Sequence, residues 1–144
     1  METLTVTVVI ADDQAPFRSA AKGVVGIASG FEVVGEAESG EAAVDLVEAL
    51  KPDLVLMDIH LPGMSGIEAA RRIAGSSPPT VTFLLSSYQA ADLPVEARSS
   101  GAAAYINKED FEPQLLSDLW ESGGDAEWRH AGEPLANREE ESSP

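Results

Sequence analysis

Five short apolar runs alternate along this chain with stretches whose apolar residues recur at helical spacing, and that alternation leaves few folds open. The runs are Val6 to Ala11, Phe31 to Ala37, Asp53 to Asp58, Val81 to Leu85 and Ala102 to Asn107. Val6 to Ala11 is compact and β-branched, as suits a strand buried on both faces. Strands of that kind pair in parallel, and parallel neighbours need crossover helices. The expected architecture is an α/β sandwich with a parallel sheet and right-handed connections.

The intervening stretches carry helix signals of their own. From Pro16, which suits a first helical turn, Phe17, Ala20, Ala21, Val24 and Val25 share one face until Gly26 and Gly30 break the pattern. Ser39 caps an expected helix over Glu41 to Leu50, with Ala42, Val44, Leu46, Val47 and Leu50 on its apolar side. Ser65 does the same for Gly66 to Ala74, and Gly75 to Pro79 is a break. Ala90 to Ser100 reads as a helix interrupted early by Pro94. The last core helix spans Glu112 to Glu121, where Phe111, Leu115, Leu116, Leu119 and Trp120 form the buried face.

Length and charge narrow the function classes. The 144 residues suit one domain with a proper core rather than two. Without cysteine there is no disulfide framework, thiolate metal site or thiol nucleophile, and two histidines in separate contexts disfavour zinc. A formal net charge of -16 repels phosphate backbones, so direct nucleic-acid binding is not expected. Met1 to Ile10 lacks a signal-peptide pattern, and no apolar run approaches the ~18 residues of a membrane span. A soluble cytoplasmic protein without membrane insertion is the default expectation.

The polar residues that end the apolar runs carry the chemistry. Asp12 and Asp13 follow the first, Asp58 ends the third, Ser86 follows the fourth and Lys108 the fifth. In a parallel sheet these ends lie at one edge, where α/β folds bind their ligands. Each has an ordinary reading when taken alone: solvated loop acids, a turn serine, a loop lysine beside Glu109 and Asp110. Asp58 weakens that reading, because a charge directly after Leu54 to Met57 must sit at the open edge; burying it unpaired costs several kcal/mol. If the first and third strands are neighbours, three carboxylates converge and favour a divalent cation between them. Magnesium suits such an all-oxygen site, and Asp58, alone at its strand end, is the natural nucleophile for a phosphoryl group.

The set resembles the receiver domain of bacterial response regulators over about residues 5 to 121, and is similar to it in order and approximate spacing. The matching segments are Asp12-Asp13, Met57-Asp58 with Leu61-Pro62-Gly63-Met64-Ser65-Gly66, Ser86, and Tyr105-Ile106-Asn107-Lys108 after Gly101. The resemblance implies a CheY-like, flavodoxin-like (βα)5 three-layer sandwich with strand order 2-1-3-4-5 and the first and third strands adjacent, an order for which chemotaxis receivers are a standing example. It further implies Asp58 as phosphoacceptor, Asp13 as a direct Mg2+ ligand with Asp12 its acidic companion, and the His60 backbone carbonyl as the third protein ligand. Ser86 and Tyr105 resemble the switch pair, and Lys108 the phosphate-contacting lysine.

His60 and Tyr88 occupy the positions that in the family influence phosphoryl lifetime. Their ordinary alternative is two exposed loop residues. Glu109 stands where many receivers have proline, although the Tyr-x-x-Lys-acidic pattern is familiar from the NarL/FixJ subgroup. By resemblance the donor is a sensor histidine kinase or phosphotransfer protein. The resemblance implies no enzymatic activity beyond self-catalysed formation and hydrolysis of its own acylphosphate. Phosphorylation then shifts the affinity for an output protein, and the resemblance leaves room for a homodimer.

After the last expected helix the composition changes. Residues 1–122 read as the receiver domain, and 123–144 as a flexible acidic tail too short for a helix-turn-helix module. A stand-alone single-domain regulator acting through protein contacts is therefore expected. Trp128 is either a docking anchor for a partner or a side chain folded back on the core. Leu135, Arg138, Glu139 and Glu141 faintly resemble the opening of a LuxR-type DNA-binding domain, against chance in an acidic segment.

Three other readings compete. A receiver-like module controlled by partner binding or dimerisation, without phosphorylation, has no need of the complete carboxylate, hydroxyl and lysine set. A phosphatase of the haloacid dehalogenase type would place a second acid two residues after the nucleophile, where this chain has His60. A dinucleotide-binding Rossmann domain lacks its Gly-x-Gly-x-x-Gly after the first strand.

Overall fold

The computed structural model describes residues 4–76 and 79–130. Five strands, β1 (Val6–Ala11), β2 (Phe31–Ala37), β3 (Leu54–Asp58), β4 (Val81–Ser86) and β5 (Ala104–Asn107), form one parallel sheet in the order β2-β1-β3-β4-β5. Between and after them come α1 (Ala15–Ile27), α2 (Gly40–Leu50), α3 (Gly66–Ala74), α4 (Val95–Arg98) and α5 (Pro113–Glu121). A sixth helix, α6 (Ala126–His130), follows. The expected flavodoxin-like sandwich and strand order are the ones observed.

Strand alternation divides the core in two. Val8 and Ile10 of β1, Leu54 and Leu56 of β3, and Phe83 and Leu85 of β4 join Ala21, Val25 and Leu116 on one side of the sheet. Val9, Ala11, Val55, Met57 and Leu84 pack on the other with Ala43, Val47, Ile67 and Ile73. Both faces of the central strands are thus dry, and each buried Leu- or Phe-sized side chain contributes about 1.5–3 kcal/mol. Polar groups on these strands are driven to the ends. β2 lies at the edge of the sheet, and its residues alternate between partial burial and exposure up to the buried Ala37.

Local chemistry sets the element ends. The Ser39 hydroxyl accepts from Ala42 N at 3.1 Å, and the Ser65 hydroxyl from Glu68 N at 3.2 Å, as both caps were expected to do. Replacing Ser39 with alanine leaves an orphan N–H at the start of α2, and should cost ~1 kcal/mol in urea unfolding. Pro94 splits the expected helix over 90–100. It holds Leu93 extended at ψ 152°, leaving one 3-10 turn at Ala90–Asp92 and the single turn of α4. β5 starts at Ala104, two residues later than expected; Ala103 N still donates to the Thr82 carbonyl at 2.8 Å, while the Ala103 carbonyl accepts from Asp125 N at 2.8 Å.

That last hydrogen bond belongs to the largest departure from expectation. Beyond Gly123 the chain does not leave the domain as a flexible segment; it turns and forms α6, with Trp128 only 4% exposed. An indole beside the β5 edge buries enough apolar area to hold a five-residue helix that would not form alone. Residues 131–144, including the LuxR-like Leu135, Arg138, Glu139 and Glu141, lie outside the described residues, as do Ser77 and Pro78 of the break after α3.

Candidate functional site

Adjacent strands bring the acids together. Ala11 pairs with Met57, so the residues that follow, Asp12 and Asp58, emerge side by side at the carboxyl edge of the sheet. Asp13 lies beside them on the exposed side, and carboxylate oxygens of all three acids lie within 4.8 Å of one another. Asp12 is 1% and Asp58 5% exposed, so neither is a solvated loop acid.

One cation serves both buried acids. The Lys108 ammonium, carried in from the end of β5, lies 2.7 Å from Asp12 Oδ2 and 3.4 Å from Asp58 Oδ2. Its Nζ also sits 4.4 Å from the centre of the Phe17 ring, which attracts it through the π face. Asp12 Oδ1 accepts from Gln14 N at 2.8 Å, and Asp58 Oδ1 from His60 N at 3.1 Å. Burial pushes the Asp58 carboxyl up, outweighing the His60 N–H and the Lys108 charge, which favour its anion. Burial pulls Lys108 down, but the Asp12 hydrogen bond and the Asp58 and Asp12 charges outweigh it, and the net direction is up. Three carboxylates face one ammonium, so the cluster keeps an excess of negative charge.

The end of β4 connects this cluster to the β5 face. Ser86 is fully buried, and its hydroxyl accepts from Tyr88 N at 3.1 Å. The Tyr105 hydroxyl donates to the Ser86 carbonyl at 3.0 Å and is also directed at the Tyr88 carbonyl, to which Asn107 Nδ2 donates at 3.1 Å. Burial raises the Tyr105 phenol further above its ordinary range. The rings of His60 and Tyr88 meet at 4.7 Å with a 52° tilt at the mouth of the cluster.

The residues expected to carry the chemistry therefore lie at one sheet edge: Asp12, Asp13 and Asp58 clustered, Lys108 paired with Asp12 and Asp58, and Ser86, Tyr88, Tyr105 and His60 on the loops and strand beside them. Three contributors were missed. Phe17 supports Lys108, Asn107 ties down the Tyr88 carbonyl, and Arg18 donates to the Asp12 carbonyl at 2.7 Å while pairing with Glu36 at 3.0 Å. Phe17 was assigned to the α1 core face by its spacing. Arg18 stands one turn into α1 after Asp12, a position whose proximity to the strand end only a folded α1 reveals.

The comparisons with known proteins agree with this geometry. The family model described as the response regulator receiver domain matches residues 8–119. The transcriptional regulatory protein YhcZ of Bacillus subtilis is 39% identical over 109 residues, covering 76% of this chain and 50% of that protein. The response regulator UvrY of Escherichia coli is 36% identical over 114 residues, covering 79% of this chain and 52% of that one. This chain thus spans about half the length of those curated relatives. Among solved structures, the signal receiver domain of the response regulator NarL from Mycobacterium tuberculosis superposes with a TM-score of 0.75 at 29% identity, covering 83% of this chain and 96% of that one. A LuxR-family response regulator from Aurantimonas also reaches 0.75, at 27% identity, over 94% of this chain and 98% of that one. With two buried strand-end acids bridged by one lysine, and a family match that runs from within β1 through β5 and most of α5, the chain belongs to the response regulator receiver domain family.

Proposed function

We propose that this receiver accepts a phosphoryl group on Asp58 and relays the change to protein contacts through Ser86 and Tyr105. The observation that carries the reading is the buried Asp12–Lys108–Asp58 cluster, with Asp58 Oδ2 only loosely held at 3.4 Å from the ammonium. That oxygen is free to form a bond to phosphorus while the bond from phosphorus to the donor breaks. The donor is a histidine of a sensor kinase or phosphotransfer protein, or a small acyl phosphate. In hydrolysis water attacks the same phosphorus and the carboxylate leaves.

The donor set fits Mg2+: it is all oxygen, rich in carboxylate and open to solvent on the Asp13 side. Asp13 and Asp58 would hold the ion directly, with the His60 carbonyl as third protein ligand and Asp12 close by. When bound, the ion supplies positive charge that neutralises the incoming phosphoryl oxygens. Lys108 supplies a second positive centre, already held by Asp12, and needs little movement to reach a phosphoryl oxygen. The Ser86 hydroxyl, now an acceptor for Tyr88 N, is positioned to donate to that oxygen once the segment after β4 shifts. His60 and Tyr88 flank the approach of water, so their rings set the lifetime of the acylphosphate.

Incubation with magnesium and acetyl phosphate should add one phosphoryl group, visible as an ~80 Da increase in intact mass that Asp58→Asn abolishes. An increase that persists in Asp58→Asn, or no increase in the wild type together with no bound 19F signal from beryllofluoride, would sink this reading.

A further inference from the structure

The β5 face is occupied by the chain's own C-terminal segment. Trp128 of α6 packs on the Tyr105 ring at 5.7 Å between centroids, with the Arg98 guanidinium carbon 4.6 Å from the indole centre. The segment is seated from its first residues. Gly123 and Gly124 turn the chain at φ 79° and 113°, and Asp125 N donates to the Ala103 carbonyl at 2.8 Å. The Asp125 carboxylate then accepts from Glu127 N and Trp128 N at 3.0 and 3.3 Å, starting α6.

Two features make this seat one that can be given up. The Trp128 Nε1–H is buried with no hydrogen-bond partner, so seating the indole leaves a donor unsatisfied that water would satisfy. Beside it lies a cavity of about 190 Å3 bounded by Ala90, Arg98, Tyr105, Asp125, Glu127 and Trp128. The indole therefore rests on an incompletely filled platform, and the platform is the Tyr105 ring. That phenol is held by the carbonyls of Ser86 and Tyr88, the segment whose serine adjoins the Asp58 strand end. Any rearrangement that draws Ser86 toward a group on Asp58 changes the acceptors that fix Tyr105, and with them the surface under Trp128.

We propose that α6 is an intramolecular cap on the α4–β5 face, coupled through Tyr105 to the Asp58 site, so that modification at Asp58 and release of Trp128 favour each other. The inference rests on the phosphoacceptor reading above. The cap covers the aromatic and cationic surface made by Tyr105 and Arg98, which suits an aromatic side chain flanked by acids, as Trp128 is flanked by Asp125 and Glu127. Linkage requires reciprocity: if a group on Asp58 loosens the cap, loosening the cap must tighten binding of that group by the same factor.

The test uses the full chain carrying Trp120→Phe, so that Trp128 is the sole tryptophan. Beryllofluoride with magnesium is the probe, and its bound 19F signal is read independently of the indole. Saturation should shift Trp128 emission to the red and raise its acrylamide quenching, and Asp58→Asn should abolish both effects. Gly124→Ala keeps the indole but places a Cβ 2.4 Å from the Ala103 carbonyl oxygen at a left-handed φ, which unseats the turn. It should show the red-shifted emission without the probe, and should bind beryllofluoride about fivefold tighter or more. Trp128→Ala, which removes the indole itself, should show the same gain in affinity. Bound 19F signal with unchanged Trp128 emission, or affinities of both variants within twofold of wild type, would overturn the coupling and leave the phosphoacceptor reading intact. No bound signal in the wild type would remove both.

Discussion

Replacing Gly66 with alanine should destabilise the domain by ~2–4 kcal/mol, lowering its melting temperature by roughly 8–15 °C. Gly66 opens α3, and its N–H donates to the Ile59 carbonyl at 2.9 Å, which folds the loop after β3 tightly back on the strand end. A Cβ there would stand 2.0 Å from the Asp58 carbonyl oxygen and 3.0 Å from Ile59 Cα. Both are backbone atoms, so no rotamer change relieves the contact; either α3 or the end of β3 must move. Because that strand end carries Asp58, phosphorylation by acetyl phosphate should slow along with the loss of stability. Gly23→Ala is the control: it lies inside α1 with no heavy atom within 4 Å of the new Cβ, and should raise stability by ~0.5–1 kcal/mol. Equal melting points for Gly66→Ala and wild type would mean that the loop after β3 has slack that its hydrogen bond conceals.

The same contact shows why some of this molecule was legible in its sequence and some was not. Strand identity came from apolar runs, and a strand that ends in a charge declares its own edge, so Asp12, Asp58 and Lys108 could be assembled from one dimension. The neighbour relation of β1 and β3 could not be read from their residues and entered through the family resemblance, because either strand would accept any apolar partner. The Phe17 contact escaped because an aromatic on an amphipathic helix has the same spacing whether it packs on leucine or under an ammonium. Arg18 escaped because its partner is a backbone carbonyl, which leaves no trace in the pattern of side chains. Segment 123–130 was misread for a physical reason: its composition is acidic and aperiodic, and its order comes from one indole, two glycines and a carboxylate cap. Propensity summed over a window does not register a helix held by a single tertiary contact.

Lys108→Met should be the most revealing change at the site itself. Methionine keeps most of the stem that lies over Phe17 while removing the charge, so the variant separates electrostatics from packing. The side chains of Asp12 and Asp58 are only 1% and 7% exposed and would lose their shared cation, and breaking a buried pair in this way costs about 3–5 kcal/mol. The loss should depend on pH with a definite sign. Lys108 is raised above its ordinary value, so its contribution in the wild type is complete below the lysine range and fades only as pH climbs through the raised pKa. Asp58 is raised as well, so its ionised form opposes folding at neutral pH, and protonating it relieves the strain. The stability gap between wild type and variant should therefore be widest near neutrality, narrowing both in alkali, as Lys108 is neutralised, and in acid, as Asp58 is protonated. Magnesium should act on the variant more strongly still. With the competing ammonium gone, the three carboxylates bind a divalent cation more tightly, and millimolar magnesium should raise the variant's melting temperature by more than it raises the wild type's. Phosphorylation by acetyl phosphate should nonetheless fall, since magnesium replaces charge on the acids without restoring a donor to the phosphoryl oxygen. An equal magnesium shift in the two proteins would show that Lys108 and the metal draw on different carboxylate oxygens, and would move the proposed ion away from Asp58 toward Asp13.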